Sequence, residues 1–400
     1  MALIYLDNAA TSVPKAPGVG RAVAEVIDQL GASPGRGGHR LALEAGRLLL
    51  EIRESVADFF GSSDASRIIF TSGATEAINL ALFGLLQPGD RVITSSMEHN
   101  AVLRPLHALQ ERGIETVRIT ADASGRVSAE EIRAAAIQGP RRARMVVLTH
   151  AANVTGTIQP IEEVAEWCRQ EGVLLLVDAA QSAGLLPIDV EAMGIDLLAV
   201  PGHKNLLGPA GTGFLYVRPG LQPTPLNYGG TGGDSASPLP PEELPERLES
   251  GTINLPGLAG LRAGLQYLET RGRQEVRRHK TALLDQLLNG MKHLEGVRIY
   301  GPGEATRHAG VVSINLAGRD PAEVGFRLDA DYGICVRTGL HCAPEAHRTI
   351  GSFPDGTVRI SPGLFNTSED IEILLRAISE LSKNQTRVHL KSSINARSPM

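Results

Sequence analysis

Hydrophobic positions in this chain follow two rhythms. Over residues 41–60 apolar side chains recur at helical spacing (Leu48, Leu49, Ile52, Val56, Phe59, Phe60), which predicts an amphipathic helix. Short apolar runs come next, and most of them break into a polar or Gly-containing segment that opens a helix. Residues 67–70 read as a strand before 71–76 and an apolar helix through Leu86. Residues 91–94 precede 95–100 and a second helix, and 145–148 precede 149–156 and a helix near 161–172. The most apolar run, 173–177, ends in Asp178-Ala179-Ala180-Gln181, and 197–200 breaks at Pro201-Gly202 before His203 and Lys204. Strands alternating with helices predict an α/β fold with a mostly parallel sheet flanked by helices.

In such sheets ligands sit beyond the carboxyl ends of the strands. The polar residues that interrupt the pattern cluster there: Thr75, His99, Asn153, Asp178, Gln181, His203 and Lys204. The rhythm changes after Gly220. Residues 222–245 are rich in Pro, Gly and Ser and read as a long loop. Helical stretches at 258–267 and onward to about 294 lead into a strand–helix–strand–helix series from about 297, a smaller α+β unit. The expected division is a large domain over 15–255 and a small one made of 1–14 and 256–383. Residues 384–400, without an acidic residue or clear periodicity, are expected to be a flexible tail.

Composition narrows the class. The 400 residues are 42% hydrophobic and 21% charged with a net charge of -5, ordinary for a globular chain and unfavourable for nucleic acid as main partner. The start, MALIYLDNAATS, lacks the pattern of a signal peptide, and no apolar run is long enough to span a bilayer. Three cysteines, Cys168, Cys335 and Cys342, lack metal-ligand spacing and an even count, so the reading is cytoplasmic, with no metal and no disulfide framework.

The polar groups have separable tasks. Residues 73–75, at a helix start, offer free N–H groups and a hydroxyl to a phosphate, although a plain N-cap has the same residues. Asp178 ends a buried strand and needs a cationic partner, such as a protonated pyridine nitrogen, unless a salt bridge or cap satisfies it. Gln181 could donate to a phenolate oxygen on the same ring, and His99 could stack on a ring face. A lysine in dehydrated surroundings becomes a better amine nucleophile, and Lys204 stands where Schiff-base chemistry needs one. Together these residues describe a pocket for pyridoxal 5'-phosphate.

The motifs TSGATEAINL, SMEHNAVLRP, DAAQSAG, GHKNLLGPAGTGFLYV, ESGTINLPG and VRTGLHCAP then identify a resemblance to the cysteine desulfurases of the class V aminotransferase group (fold type I pyridoxal-phosphate enzymes). It runs from YLDNAAT at Tyr5 to FNTSEDI near Phe365. The resemblance implies that Lys204 is the Schiff-base lysine, that His99 stacks on the ring, that Asp178 partners the pyridine nitrogen and that Gln181 donates to the ring oxygen. Asn153 would lie near that oxygen and the substrate, while Ala74, Thr75 and His203 would contact phosphate. Thr252 would reach the phosphate of a second subunit in a homodimer. Arg359 would clamp the carboxylate of L-cysteine, and Cys342 would take its sulfur as a persulfide for an acceptor protein, in iron–sulfur cluster assembly, tRNA thiolation or related sulfur metabolism. Arg337 and His341, close to Cys342 in sequence, would favour its thiolate, whereas Cys168 and Cys335 read as structural.

Two departures stand out. Pro201 replaces a Ser or Thr that usually binds phosphate, and Leu340 replaces a histidine before the cysteine of the compact RTGLHCAP loop. A selenocysteine lyase, a cysteine-sulfinate desulfinase, another class V transaminase or lyase, and a non-enzymatic scaffold remain open alternatives.

Overall fold

The computed structural model describes residues 3–35, 37–139, 141–232 and 236–395, with side chains through Lys383. The chain enters through a two-residue strand β1 (Ile4–Tyr5), then α1 (Val19–Glu25) and α2 (Arg40–Phe60). An alternating series follows: β2 (Ile68–Thr71), α3 (Ala74–Leu85), β3 (Arg91–Ser95), α4 (Asn100–Gln110), β4 (Glu115–Ile119), α5 (Ala129–Ile137), β5 (Met145–Thr149), α6 (Ile161–Glu171), β6 (Leu174–Asp178), β7 (Leu197–Pro201) and β8 (Gly213–Val217).

These strands form a seven-stranded sheet in the order β2-β8-β7-β6-β5-β3-β4. The strands β3 to β7 pair in parallel, and β8 lies antiparallel between β2 and β7. Helices cover both faces. Leu198 and Val200 of β7 join one core with α2, α6 and the later helix α7 (Leu255–Arg271), while Leu197 and Ala199 join another with α3 and α4. A strand with no wet face has no reason to alternate, which is why the central strands read as unbroken apolar runs.

After α7 come α8 (Arg273–Lys292), β9 (Val297–Tyr300), β10 (Val312–Leu316), α9 (Pro321–Tyr332), β11 (Ile334–Cys335), β12 (Arg337–Gly339), α10 (Pro344–Ile350), β13 (Thr357–Ile360) and α11 (Ser368–Asn395). An antiparallel sheet, β12-β13-β10-β9, packs on α8, α9 and α11 around a core of its own that also takes in Ile4 and Leu6. β1 pairs in parallel with β11, and Asp7 bridges to Ser361, so the N-terminal segment is held by the later sheet region.

The helical pattern of α2, the central strands and the overall α/β class match the reading of the sequence. Among the elements up to Val217, β1, α1, β4, α5 and β8 went unread. β4 is an edge strand with Glu115 and Arg118 exposed, so it lacks an apolar run. α5 is Ala-rich, with Ile132 and Ala136 buried, and β8 lay hidden behind a Gly-rich loop. α11 runs on through Asn395, into the stretch that the sequence marked as a tail, and residues 396–400 lie outside the described residues. No helix among the described residues is long and apolar enough to cross a membrane.

Candidate active site

The carboxyl ends of β2, β5, β6 and β7, with the N-termini of α3 and α4, surround a cavity of about 350 Å³. Arg337 and Arg359, from the smaller sheet, close it. Ala74, Thr75, His99, Asn153, Asp178, Gln181, Pro201, His203, Lys204 and Arg359 all line it, so residues chosen across some 285 positions of sequence (74 to 359) share one wall.

The α3 end presents backbone N–H groups, because its N-cap, Gly73, has no side chain to occupy them. A Cβ on Gly213 of β8 would lie 2.6 Å from the Gly73 Cα, so only glycine lets the sheet approach the helix start this closely. Glu76 of the first turn is engaged by Ser72, whose N–H and hydroxyl donate to its Oε2 at 2.7 and 2.6 Å.

His99 caps α4: the Ala101 N–H donates to its Nδ1 at 3.0 Å. A backbone N–H can only donate, so Nδ1 carries no proton and the neutral ring holds its hydrogen on Nε2. Burial, and then the charge of Lys204, lower its pKa to about 4, which keeps it neutral. The neighbouring Glu98 is fully buried, accepts from Ser95 Oγ (2.5 Å) and Thr149 N–H (2.9 Å), and is pushed up to about 8 by burial. It ties the α4 entry to the end of β5.

Asp178 ends β6 with its carboxylate buried. Ala180 N–H donates to Oδ1 at 2.9 Å, and burial raises its pKa against the opposing pull of Lys204. Lys204 opens onto the cavity, with protein around the rest of it. Burial lowers its pKa to about 8, Asp178 opposing. Gln181 Nε2 donates to the Ala9 carbonyl at 3.1 Å, so one of its two amide hydrogens is engaged within the wall. His203 is lowered to about 4 by burial, and its Nδ1 is buried without a partner.

Arg359 is 1% exposed. Its Nη2 donates to Asp7 Oδ1 at 2.8 Å, its Nη1 to the Asn153 carbonyl at 3.3 Å, and its Nε is buried without a partner. Asn153 Nδ2 donates to the His341 carbonyl at 2.7 Å, leaving Oδ1 unpartnered.

Cys342 is exposed beside this wall. Arg337, which lines the cavity, places Nη2 at 3.4 Å from its Sγ. The loop is tied twice, through Asn153 to the His341 carbonyl and through the Asn100 N–H to the Cys342 carbonyl at 2.7 Å. His341 and Cys342 are both left-handed, with φ of 49° and 59°, an uncommon conformation for side-chain-bearing residues. His341 is buried, its Nε2 bonded to Thr357 Oγ1 at 3.0 Å, and burial drives its pKa far down. It is therefore a neutral anchor and not the positive charge that sequence proximity suggested; the charged group in contact with the Cys342 sulfur is Arg337. Cys168 is buried and its thiol is pushed up by burial, while Cys335 is half-buried with Sγ 3.8 Å from Asp329 Oδ1.

Thr252 stands apart. It lines a neighbouring cavity of about 200 Å³ and not the one that holds Lys204, although Ser72 and Glu76 line both. The sequence reading passed over Asp7 and Glu98. Asp7 sits in the quoted YLDNAAT motif, so its carboxylate was in view, but the partner is 352 residues away.

The class-V aminotransferase family model matches residues 4–374. A probable cysteine desulfurase of Methanothermobacter thermautotrophicus is 37% identical over 385 residues, 95% of this chain and 94% of that protein. The apo structure of a cysteine desulfurase from Thermococcus onnurineus NA1 superposes with a TM-score of 0.88 at 35% identity, covering 96% of this chain and 95% of that one. The cysteine desulfurase CsdA of Escherichia coli superposes with a TM-score of 0.83 at 28% identity, covering 94% of each chain.

Proposed function

The chain belongs to the class-V aminotransferase family, and we propose that it is a pyridoxal-phosphate-dependent cysteine desulfurase that converts L-cysteine to L-alanine and takes the sulfur onto Cys342. The observation that carries this reading is the exposed Cys342 thiol, bonded to an arginine of the same cavity wall that contains Lys204.

The residues fit the cofactor. An uncapped helix end and a buried, unpartnered His203 Nδ1 suit a phosphate, and a buried carboxylate at Asp178 suits a protonated ring nitrogen. Ala74, Thr75 and His203 would hold the phosphate, with Asp178, Gln181, His99 and Asn153 around the ring. When bound, the cofactor supplies an electron sink. Lys204, lowered to about 8, can hold or release a proton at Nζ near neutral pH and is a competent nucleophile when neutral. Arg359, with an unpartnered Nε and a partly engaged fork, is suited to the substrate carboxylate. The Cys342 thiolate attacks the substrate sulfur. A sulfur–sulfur bond forms and the carbon–sulfur bond breaks, its electron pair staying with the three-carbon fragment, which takes up a proton and leaves as alanine. The persulfide then passes to an acceptor thiol.

We further read the working form as a cytoplasmic homodimer in which Thr252 serves the partner's site. That reading is supported by the place of Thr252 outside its own chain's cavity and by the exposed Leu43 and Leu50 on α2.

The test is to assay alanine and sulfide together from L-cysteine and a thiol reductant, wild type beside Cys342→Ala. Equal products from wild type and none from the variant are expected. Full activity in the variant would move the chain to a selenocysteine lyase or cysteine-sulfinate desulfinase. No product from either, with cofactor bound, would show that cysteine is not the substrate.

A further inference from the structure

Lys204 is held at its two chain neighbours by two other lysines. The His203 carbonyl, one atom before the Lys204 amide nitrogen, is met by Lys15 Nζ at 2.8 Å, Ser12 N–H at 3.0 Å, and the hydroxyls of Ser12 and Thr11 at 3.1 Å each. Lys15 also donates to Ser12 Oγ at 2.9 Å and Thr11 Oγ1 at 3.2 Å. On the other side, Lys280 of α8 donates to Asn205 Oδ1 at 2.9 Å, and Asn205 Nδ2 donates to the Gln181 carbonyl at 2.8 Å. An ammonium only donates, so Lys280 fixes which way the Asn205 amide faces. The Lys204 carbonyl itself accepts from Leu207 N–H at 3.0 Å.

Neither lysine forms an ion pair among the described residues, though Lys280 is 4% exposed and Lys15 is half-buried. A buried cation without a counter-charge costs stability. Packing of α8 would be served better by an apolar side chain. What both ammoniums share is a partner next to Lys204 in the chain, the His203 carbonyl for Lys15 and the Asn205 side-chain oxygen for Lys280.

We propose that Lys15 and Lys280 are positioning residues for Lys204: they clamp the 203–205 tripeptide and so aim the Lys204 side chain into the cavity. This rests on Lys204 being the cofactor lysine. A lysine has four side-chain torsions to settle before its amine can react, and a held His203 carbonyl on one side with an anchored Asn205 side chain on the other restricts the freedom at their base. The clamps come from outside the large sheet, one from the N-terminal segment and one from α8.

The test reads Lys204 directly. The cofactor-free chain is trace-labelled with acetic anhydride across a pH series, and Lys204 labelling is followed by peptide mass spectrometry. Lys15→Met and Lys280→Met are each expected to raise the midpoint from about 8 by about half a unit or more, a roughly three-fold change in proton affinity, as the freed amine reaches water and the carboxylates of Asp178 and Asp7. Lys15→Arg keeps N–H donors for the His203 carbonyl and should restore the wild-type midpoint. An unmoved midpoint, whatever happens to the melting temperature, would mean that the two lysines do not position Lys204, and would overturn the proposal. Should Lys280→Met not fold, Lys15→Met decides alone. Added pyridoxal phosphate separates the two readings: no change in absorbance on mixing with wild type would refute the cofactor role of Lys204, while the labelling result still judges the clamp.

Discussion

Replacing Lys280 by methionine should make stability less dependent on pH, in a direction fixed by the burial of its amine. Burial alone lowers that amine from 10.5 to about 8. At about 1.4 kcal/mol per unit, the folded state carries a penalty of about 3 kcal/mol wherever the amine is charged in both states. The folded pKa lies below the unfolded one, so the unfolded chain holds more protons between pH 8 and 10.5, and wild-type stability rises with pH across that window. The penalty is complete below pH 8 and gone above 10.5. Methionine removes it but strands Asn205 Oδ1, at a cost of about 1–3 kcal/mol. At pH 7 the variant should therefore range from equal to wild type to about 2 kcal/mol more stable. At pH 10, with most of the penalty gone, it should be the less stable chain. Lys15 and Lys204 are also lowered to about 8, so wild type alone would not isolate one amine; the difference between the two chains does. Urea unfolding of both cofactor-free chains at pH 7 and pH 10 measures it. A difference that is the same at the two pH values would refute the reasoning.

Other substitutions separate roles within the site. His99→Asn keeps a good N-cap for α4 but removes the ring, so the melting temperature should hold while desulfurase activity falls; His99→Ala should in addition lose about 1 kcal/mol from the helix end, read by thermal unfolding. Asp178→Asn removes the negative charge expected opposite the ring nitrogen, and cofactor affinity measured by fluorescence titration should weaken roughly 10- to 100-fold. Pro201→Ser places a hydroxyl on the cavity wall, and if a phosphate contact is missing there, the same titration should tighten by about three- to ten-fold. Tighter binding would identify the proline as the cause of weaker phosphate retention, and unchanged binding would show that the phosphate is satisfied without it.

How much of this was legible in the chain depended on whether the cause was local. The central strands announced themselves because helices cover both faces, so every residue of a run such as Leu197–Pro201 is apolar or Pro. Lys204, Asp178 and His99 were visible because polar groups at the ends of such runs have few reasons to be there. β4 was not visible, since an edge strand with one wet face dilutes its own pattern. Nor were the connections: Arg359 to Asp7, Asn153 to the His341 carbonyl, and Lys280 to Asn205 each join residues 75 or more positions apart. A lysine bound for the surface and one bound for a buried carbonyl look alike in one sequence, because only the fold decides which of them loses water.

The pairing of β1 with β11 also sets an order of events during synthesis. Asn8 bonds to the Ser361 carbonyl, 353 residues away, and Asp7 is the partner of Arg359. The strands of the large sheet can emerge from the ribosome and pack, with Thr11, Ser12 and Lys15 on the His203 carbonyl, while residues 4–8 still wait for β11 and β13. The wall that holds Arg359 in place, and Cys342 with it, closes only after β13 has been made. Non-local closure of this kind is slow relative to local folding. The nascent chain thus passes through a stage in which Lys204 stands on a formed sheet while Cys342 and Arg359 have not yet joined it, so the lysine is open to solvent aldehydes before Arg337 and Arg359 close the cavity.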